Sequence, residues 1–501
     1  MRLSALVSLA VALVSYSGSV QASVLNSRKA SGAGVIVSTW SSSVQYTKVK
    51  LTRDPAAADL NNQLPLPELQ DAKIGARDVK LNTDEIQGLT MVGMRFMMET
   101  FLFFNVTDAH NFKLKLGSEF HPRVTTATQL IDPTNQAPIA VNIAFSQKGL
   151  NTIEVNDDLG DPNFKKGQAE DAVVLGDPGT VNWREPYQKG VHGVIQIASK
   201  EMDKITAEIE TIKGIFGSSF QEVYRLNAEA RPGPNMGHEH FGWVDGIAQP
   251  AIEGWDTEKT TFVPPGIILV GEEGDTVQRP AWAKSGSFLC WRQLSQLVPE
   301  FSKYLNDTAP PVEGLSEDEA RHLFGSRMVG QWKSGAPIDL APLKDDLALG
   351  ADPQRRNNFT FDHPEIPGFD LFKNQTICPF SSHILRSRPR AFFKPEHPTS
   401  HFMRGGLPYG PEVTSEEAAA IKSSDEPILE RGMAFAAYQS NLANGFIFVQ
   451  QSLVDNPEAP PGPSPLGASA SKTLLPCALA GQAPVLTGPR SQLRPKPSLF
   501  S

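Results

Sequence analysis

The ten residues GHEHFGWVDG, Gly237 to Gly246, pack two histidines and two carboxylates into one short stretch. His238 and His240 stand two apart, so on a strand both would point to one face, as a pair of metal ligands should. Asp245 sits instead between Val244 and Gly246, where a tight turn would present a single carboxylate to a cavity. The first pattern predicts a metal site and the second a lone proton-transfer group. A second basic-and-imidazole group lies in CPFSSHILRSRPR, where His383 is followed by Arg386, Arg388 and Arg390, a set suited to an anionic ligand. Arg404, in MRGGLPYG, stands on a Gly-rich loop.

The elements that must position these residues alternate in character. Phe101 to Phe104 is a short apolar run, and Ile139, Val141, Ile143 and Phe145 alternate with smaller or polar residues, so both read as strands. Lys200 to Phe216 repeats Met202, Ile205, Ile209, Ile212 and Phe216 at helical spacing. Further on, 261–270 reads as a strand, 286–304 as a helix, and 445–449 as a strand closing the segment 434–449. The fold class is therefore α+β.

Composition narrows the function. A chain of 501 residues, 40% hydrophobic and 20% charged, can bury a sizeable core. A formal charge of -9 and a pI near 5.7, with no basic run, exclude a nucleic-acid surface. Cys290, Cys378 and Cys477 are too few for a disulfide-built scaffold. There is no nucleotide-binding glycine loop, no GxSxG elbow and no CxxC pair. Arg2 followed by the apolar run Leu3–Val14 and the small-residue site Val20-Gln21-Ala22 reads as a signal peptide, and the run is too short to span a membrane. Sequons at Asn105, Asn306, Asn358 and Asn374 agree with export. The expected organisation is a signal peptide (1–22), a propeptide or lead-in (23–80), two folded halves (81–235 and 236–456) and a low-complexity, disordered tail (457–501). The expected location is extracellular.

In order along the chain, FGWVDGI, GSFLCWRQL, ARHLFGSRMVGQWKSGAPIDLAP, CPFSSH, RGGLPYG and FAAYQSNLANGFIFVQ resemble the secreted fungal dye-decolourising peroxidases, and the resemblance runs from about Asn82 to Asn456. It implies two ferredoxin-like halves of the dimeric α+β barrel type, with antiparallel sheets, peripheral helices, and haem b held once per chain by the second half. His383 would be the axial iron ligand, Asp245 the distal acid–base residue and Arg404 the distal cation. Arg386, Trp243 and Gly246 would contact the cofactor, and Tyr409 matches a position resembling a surface radical relay. The implied reaction reduces hydrogen peroxide and oxidises dyes, phenols and small aromatic donors through a ferryl-radical intermediate. The expected partners include no nucleic acid and no membrane, and the expected assembly is a monomer or weak homodimer.

Departures from the family pattern are equally specific. Leu385 stands where an arginine is common, and Gly405 follows Arg404 in place of a second arginine. Beyond FIFVQ the family continues with a tryptophan, a GxDP-like segment and a final strand; here Leu453 and a Pro/Ala/Ser tail follow. The absent part includes the expected acidic partner of the axial imidazole. Three other readings compete: a haem-binding protein with weak or lost peroxidase activity, a non-haem metalloenzyme using His238, Glu239 and His240, and a glycosidase using Glu239 and Asp245.

Overall fold

The computed structural model describes residues 81–93, 96–132, 137–256, 262–392, 398–456 and 459. The expected signal peptide and lead-in lie outside these residues, as does the expected tail apart from Ala459. No described helix is long and apolar enough to cross a membrane.

Strands β1 (Met98–Val106), β2 (Ile139–Phe145), β3 (Gly193–Ser199) and β4 (Phe220–Glu229) form one antiparallel sheet in the order β2-β3-β1-β4. Helical segments follow β1, and the helix Met202–Phe216 joins β3 to β4, which is the split βαβ arrangement of a ferredoxin-like half. The period of two along β1 decides which layer each side chain joins. Phe101 and Phe103 meet Trp291 of the second sheet, with ring centroids 4.1 and 5.6 Å away. Leu102 and Phe104 face the helices, where Phe112, Ile205, Ile209 and Phe216 are buried with them. All four β1 side chains are fully buried, at about 1.5–3 kcal/mol of transfer free energy each, so β1 holds the sheets and helices together.

A two-stranded parallel pair, β5 (Ala251–Ile252) and β6 (Phe262–Val263), leads into the second half. Its sheet consists of β7 (Phe288–Ser295), β10 (Gly432–Gln439) and the short β8 (Met403–Arg404) and β9 (Leu407–Tyr409), both of which pair with β10. This is the ferredoxin-like order without its fourth strand: among the described residues nothing pairs with the outer edge of β7.

Three expectations for the second half are corrected. The segment 286–304 is strand β7 followed by the helix Val298–Thr308. Phe288 and Cys290 enter one core cluster while Leu289 and Trp291 enter the other, so a strand buried on both faces lacks the alternation that reveals strands. Pro299 belongs to the first turn of the helix, where its missing N–H costs nothing. Among the described residues of 261–270 only Phe262–Val263 is a strand, and Pro265–Ile267 turns. The segment 445–449 is not a strand: Gly445 breaks a pair of helical turns, Ala443–Ile447 and Val449–Val454. The Gln439 side chain accepts the N–H of Phe446 at 2.6 Å, and any Cβ on Gly445 would collide with that amide.

Candidate active site

The GHEH stretch folds as a tight turn rather than a strand. Glu239 is its internal brace, accepting the N–H groups of Phe241 and Trp243 at 2.8 Å each and a bond from Gln296. Burial raises its carboxyl above the usual range, and these donors oppose the rise. His240 is buried with Nε2 2.9 Å from the carbonyl of Tyr409, and burial pushes its pKa down to about 4. His238 bonds to the Met236 carbonyl at 3.2 Å. The three side chains are thus directed to separate partners, and no group of three metal-ligating side chains gathers anywhere among the described residues.

The turn delivers Asp245. Its N–H bonds Gly237 O at 2.9 Å, and Gly246, at φ 77°, turns the chain so that its own N–H meets Asp245 Oδ1 at 2.6 Å. Arg404 Nη1 reaches the same Oδ1 at 2.7 Å and Nη2 reaches Ala248 O at 3.1 Å. Among the described residues Oδ2 makes no hydrogen bond. Both side chains remain 28% open. Burial alone would raise the Asp245 carboxyl, but the Arg404 charge, its hydrogen bond and the Gly246 N–H hold it below the ordinary carboxylate range.

Arg404 is steadied from behind. Gln249 Oε1 accepts its N–H at 3.0 Å and Gln249 Nε2 donates to its carbonyl at 2.7 Å. Gly93 passes so close to that carbonyl that a Cβ would overlap it. The segment Gln331–Gly335 braces the other side of the loop. Gln331 Nε2 donates to Val244 O at 2.6 Å, Trp243 Nε1 donates to Gln331 O at 3.0 Å, and Lys333 Nζ lies 5.2 Å from the Trp243 ring centroid. Trp243 packs with Phe301, Tyr304 and Leu305.

His383 begins the helix His383–Ser387, just beyond Gly330 at the end of the helix Glu317–Val329. Burial and, after it, the Arg404 charge lower its pKa to about 4 against the opposing charge of Asp245, so its ring senses both charged side chains. Its Nδ1 is shut off from solvent and has no hydrogen-bond partner among the described residues. The described bonds of the neighbouring arginines go to protein groups. Buried Arg386 donates to the carbonyls of Val454 and Asn456 at 3.0 and 2.7 Å, Arg388 to Ser400 at 3.2 Å, and Arg390 to Asn357 O at 2.7 Å. Arg386 therefore clamps the C-terminal turn. Tyr409, expected at the surface, is buried. It is only 3% exposed, with its hydroxyl 2.8 Å from Glu430 Oε1, so it lies in the core and not at the surface.

The first sheet lies within residues 85–232, which match the family model described as the DyP dimeric alpha+beta barrel domain. Over 416 residues the chain is 47% identical to Peroxidase 2 of Mycetinis scorodonius, covering 81% of this chain and 80% of that protein. The chain belongs to the dye-decolourising peroxidase family. A dye-decolorizing peroxidase of Auricularia auricula-judae is 47% identical over 416 residues, 81% of this chain and 80% of its own. A crystal structure of a decolorizing peroxidase from the same organism matches with a TM-score of 0.73 at 47% identity, covering 77% of this chain and 87% of that one. Another matching structure, also 47% identical, is of a dye-decolorizing peroxidase engineered in its heme pocket.

As a member of this family the protein is an enzyme, a peroxidase, and the family's peroxidases depend on haem. The fold brings Asp245, Gly246, Arg404 and His383 together. Sequence reasoning missed Gln249, Gln331 and Gly93. Gln249 lies four positions beyond Asp245, but its partner is 155 positions away and no local pattern announces it.

Proposed function

We propose that this protein is a secreted peroxidase carrying one haem b per chain, which reduces hydrogen peroxide and oxidises dyes, phenols and other small aromatic donors as a monomer or weak homodimer. The observation that carries the reading is the Asp245–Arg404 pair, 2.7 Å apart and open, whose charges are the ones felt by the His383 imidazole.

The residues fit a haem. An imidazole with a pKa of about 4 stays neutral in mild acid and keeps a lone pair for iron. His383 would hold the group through its imidazole. Bound there, haem supplies the iron that receives peroxide and stores its two oxidising equivalents. Asp245 Oδ2, free of protein bonds, takes a proton from the peroxide and returns it to the oxygen that leaves as water. Arg404 stays cationic at every working pH and stabilises the negative charge that gathers as the O–O bond lengthens. Gly246 and Arg404 together keep Oδ1 occupied, which leaves Oδ2 for the substrate.

A second reading, a haem-binding protein with weak peroxidase activity, is favoured by the unpartnered Nδ1 of His383. Loss of such support typically weakens a metal ligand by about 10- to 100-fold. A visible absorption spectrum of the purified protein, with and without peroxide and a dye, separates the two. The peroxidase reading expects a Soret band that changes with peroxide and a dye that bleaches. A Soret band with no dye loss supports the weak form, and no Soret band contradicts both. Secretion is tested by sequencing the N-terminus of protein recovered from culture medium, which should begin beyond Ala22.

A further inference from the structure

Arg404 sits on a two-residue strand followed by two glycines, the least self-supporting backbone in the second sheet. Its pairing with β10 runs through Gly405, whose N–H bonds Ala436 O at 2.9 Å. In an antiparallel pair, neighbouring residues turn their N–H and C=O to opposite edges, so those of Arg404 face away from β10. Both are met there by one side chain. The Gln249 amide accepts from Arg404 N at 3.0 Å and donates to Arg404 O at 2.7 Å, as a neighbouring strand's peptide would.

We infer that Gln249 is the positioning residue that sets Arg404 against Asp245, an inference that rests on the site proposed above. Gln249 belongs to the same loop as Asp245 and as Ala248, whose carbonyl takes Arg404 Nη2 at 3.1 Å. Locking the Arg404 backbone to this loop therefore fixes the register between guanidinium and carboxylate. The amide must both give and accept a hydrogen bond. Leucine can do neither, and an ionised glutamate can only accept, leaving its charge against a carbonyl. A neutral glutamic acid can do both.

The test measures kcat/KM for peroxide against pH in haem-loaded wild type, Q249L, Q249E and D245N, with crystal structures of wild type and Q249L. A misplacement of about 1 Å costs on the order of 10²-fold, so Q249L is expected to lose roughly 10- to 100-fold, with the Arg404–Asp245 contact lengthened beyond hydrogen-bond reach. The Q249E-to-wild-type ratio is expected to be near one below pH about 4.3, where the acid is neutral, and to fall to the Q249L level as pH rises. A merely structural role would not give that pH-dependent rescue. Q249L within twofold of wild type with the contact intact, or a Q249E ratio that ignores pH, overturns the inference. Should Q249L fail to fold, the Q249E profile decides alone. D245N separates the two layers: if it keeps full turnover the site reading itself falls, whereas if it is dead while Q249L is normal only the role of Gln249 falls.

Discussion

The two faces of the proposed site, Asp245 and Arg404 as its distal side and His383 as its proximal one, are built to different standards. On the distal side Asp245 and Arg404 are bound to each other, to Gly246 and Ala248, and through Gln249 to a shared loop, so their geometry exists before any ligand arrives. On the proximal side His383 stands at the start of a five-residue helix with one ring nitrogen buried and unbonded, in the half whose sheet lacks a fourth strand. The difference teaches that preorganised chemistry and firm cofactor retention are separate achievements. The chain has invested its hydrogen bonds in the former.

That asymmetry can be broken from either side. The largest effect is expected from His383→Ala, which should abolish the Soret band of reconstituted protein while leaving far-ultraviolet circular dichroism unchanged. A retained band would mean that another residue holds the iron. Next, Arg404→Leu should keep haem but lower kcat/KM for peroxide by about 10²–10³-fold, the usual cost of removing one group that stabilises developing charge. If haem binding fell instead, the two faces would not be separable.

A smaller effect concerns the support beneath the proximal segment. His363 sits between Asp339 Oδ1 and Glu365 Oε1, each 2.9 Å from a ring nitrogen. Burial works against its charge, but the two carboxylates outweigh it and raise the pKa above the usual value. A raised pKa stabilises the fold fully below the unfolded value of about 6.5 and loses that contribution as pH rises through the folded one. His363→Gln should therefore lower the melting temperature at pH 5 by a few degrees, equivalent to about 1–2 kcal/mol, and less at pH 9. An equal loss at both values would remove the carboxylates from the explanation.

Much of this was legible in the sequence, for identifiable reasons. Ile139 to Phe145 and Lys200 to Phe216 have one clear period each, and both elements form where the period puts them. Phe288–Ser295 was opaque because both of its faces are buried, and 445–449 because a glutamine side chain turns a chain that apolar content alone would extend. The motif residues Asp245, Arg404 and His383 were visible as types in familiar surroundings, and the fold brings them together. What sequence could not reveal was how each side chain is spent. The HEH residues are scaffold, Tyr409 is buried against Glu430, and Arg386 clamps the C-terminal carbonyls, all through partners that depend on the fold.

The central claim is that Asp245 moves the proton, and its lowered pKa gives the sign of the test. A base works when deprotonated, so a carboxyl held below the ordinary value of about 3.9 keeps working in mild acid. The deciding measurement is kcat/KM for peroxide from pH 3 to 8 in wild type and Asp245→Asn at equal haem content. The account predicts that wild type holds its rate down to pH about 3.9 while the variant falls by about 10²–10⁴-fold throughout. A variant within tenfold of wild type, or a wild-type rate that collapses below pH about 6.5 as a histidine base would, contradicts it.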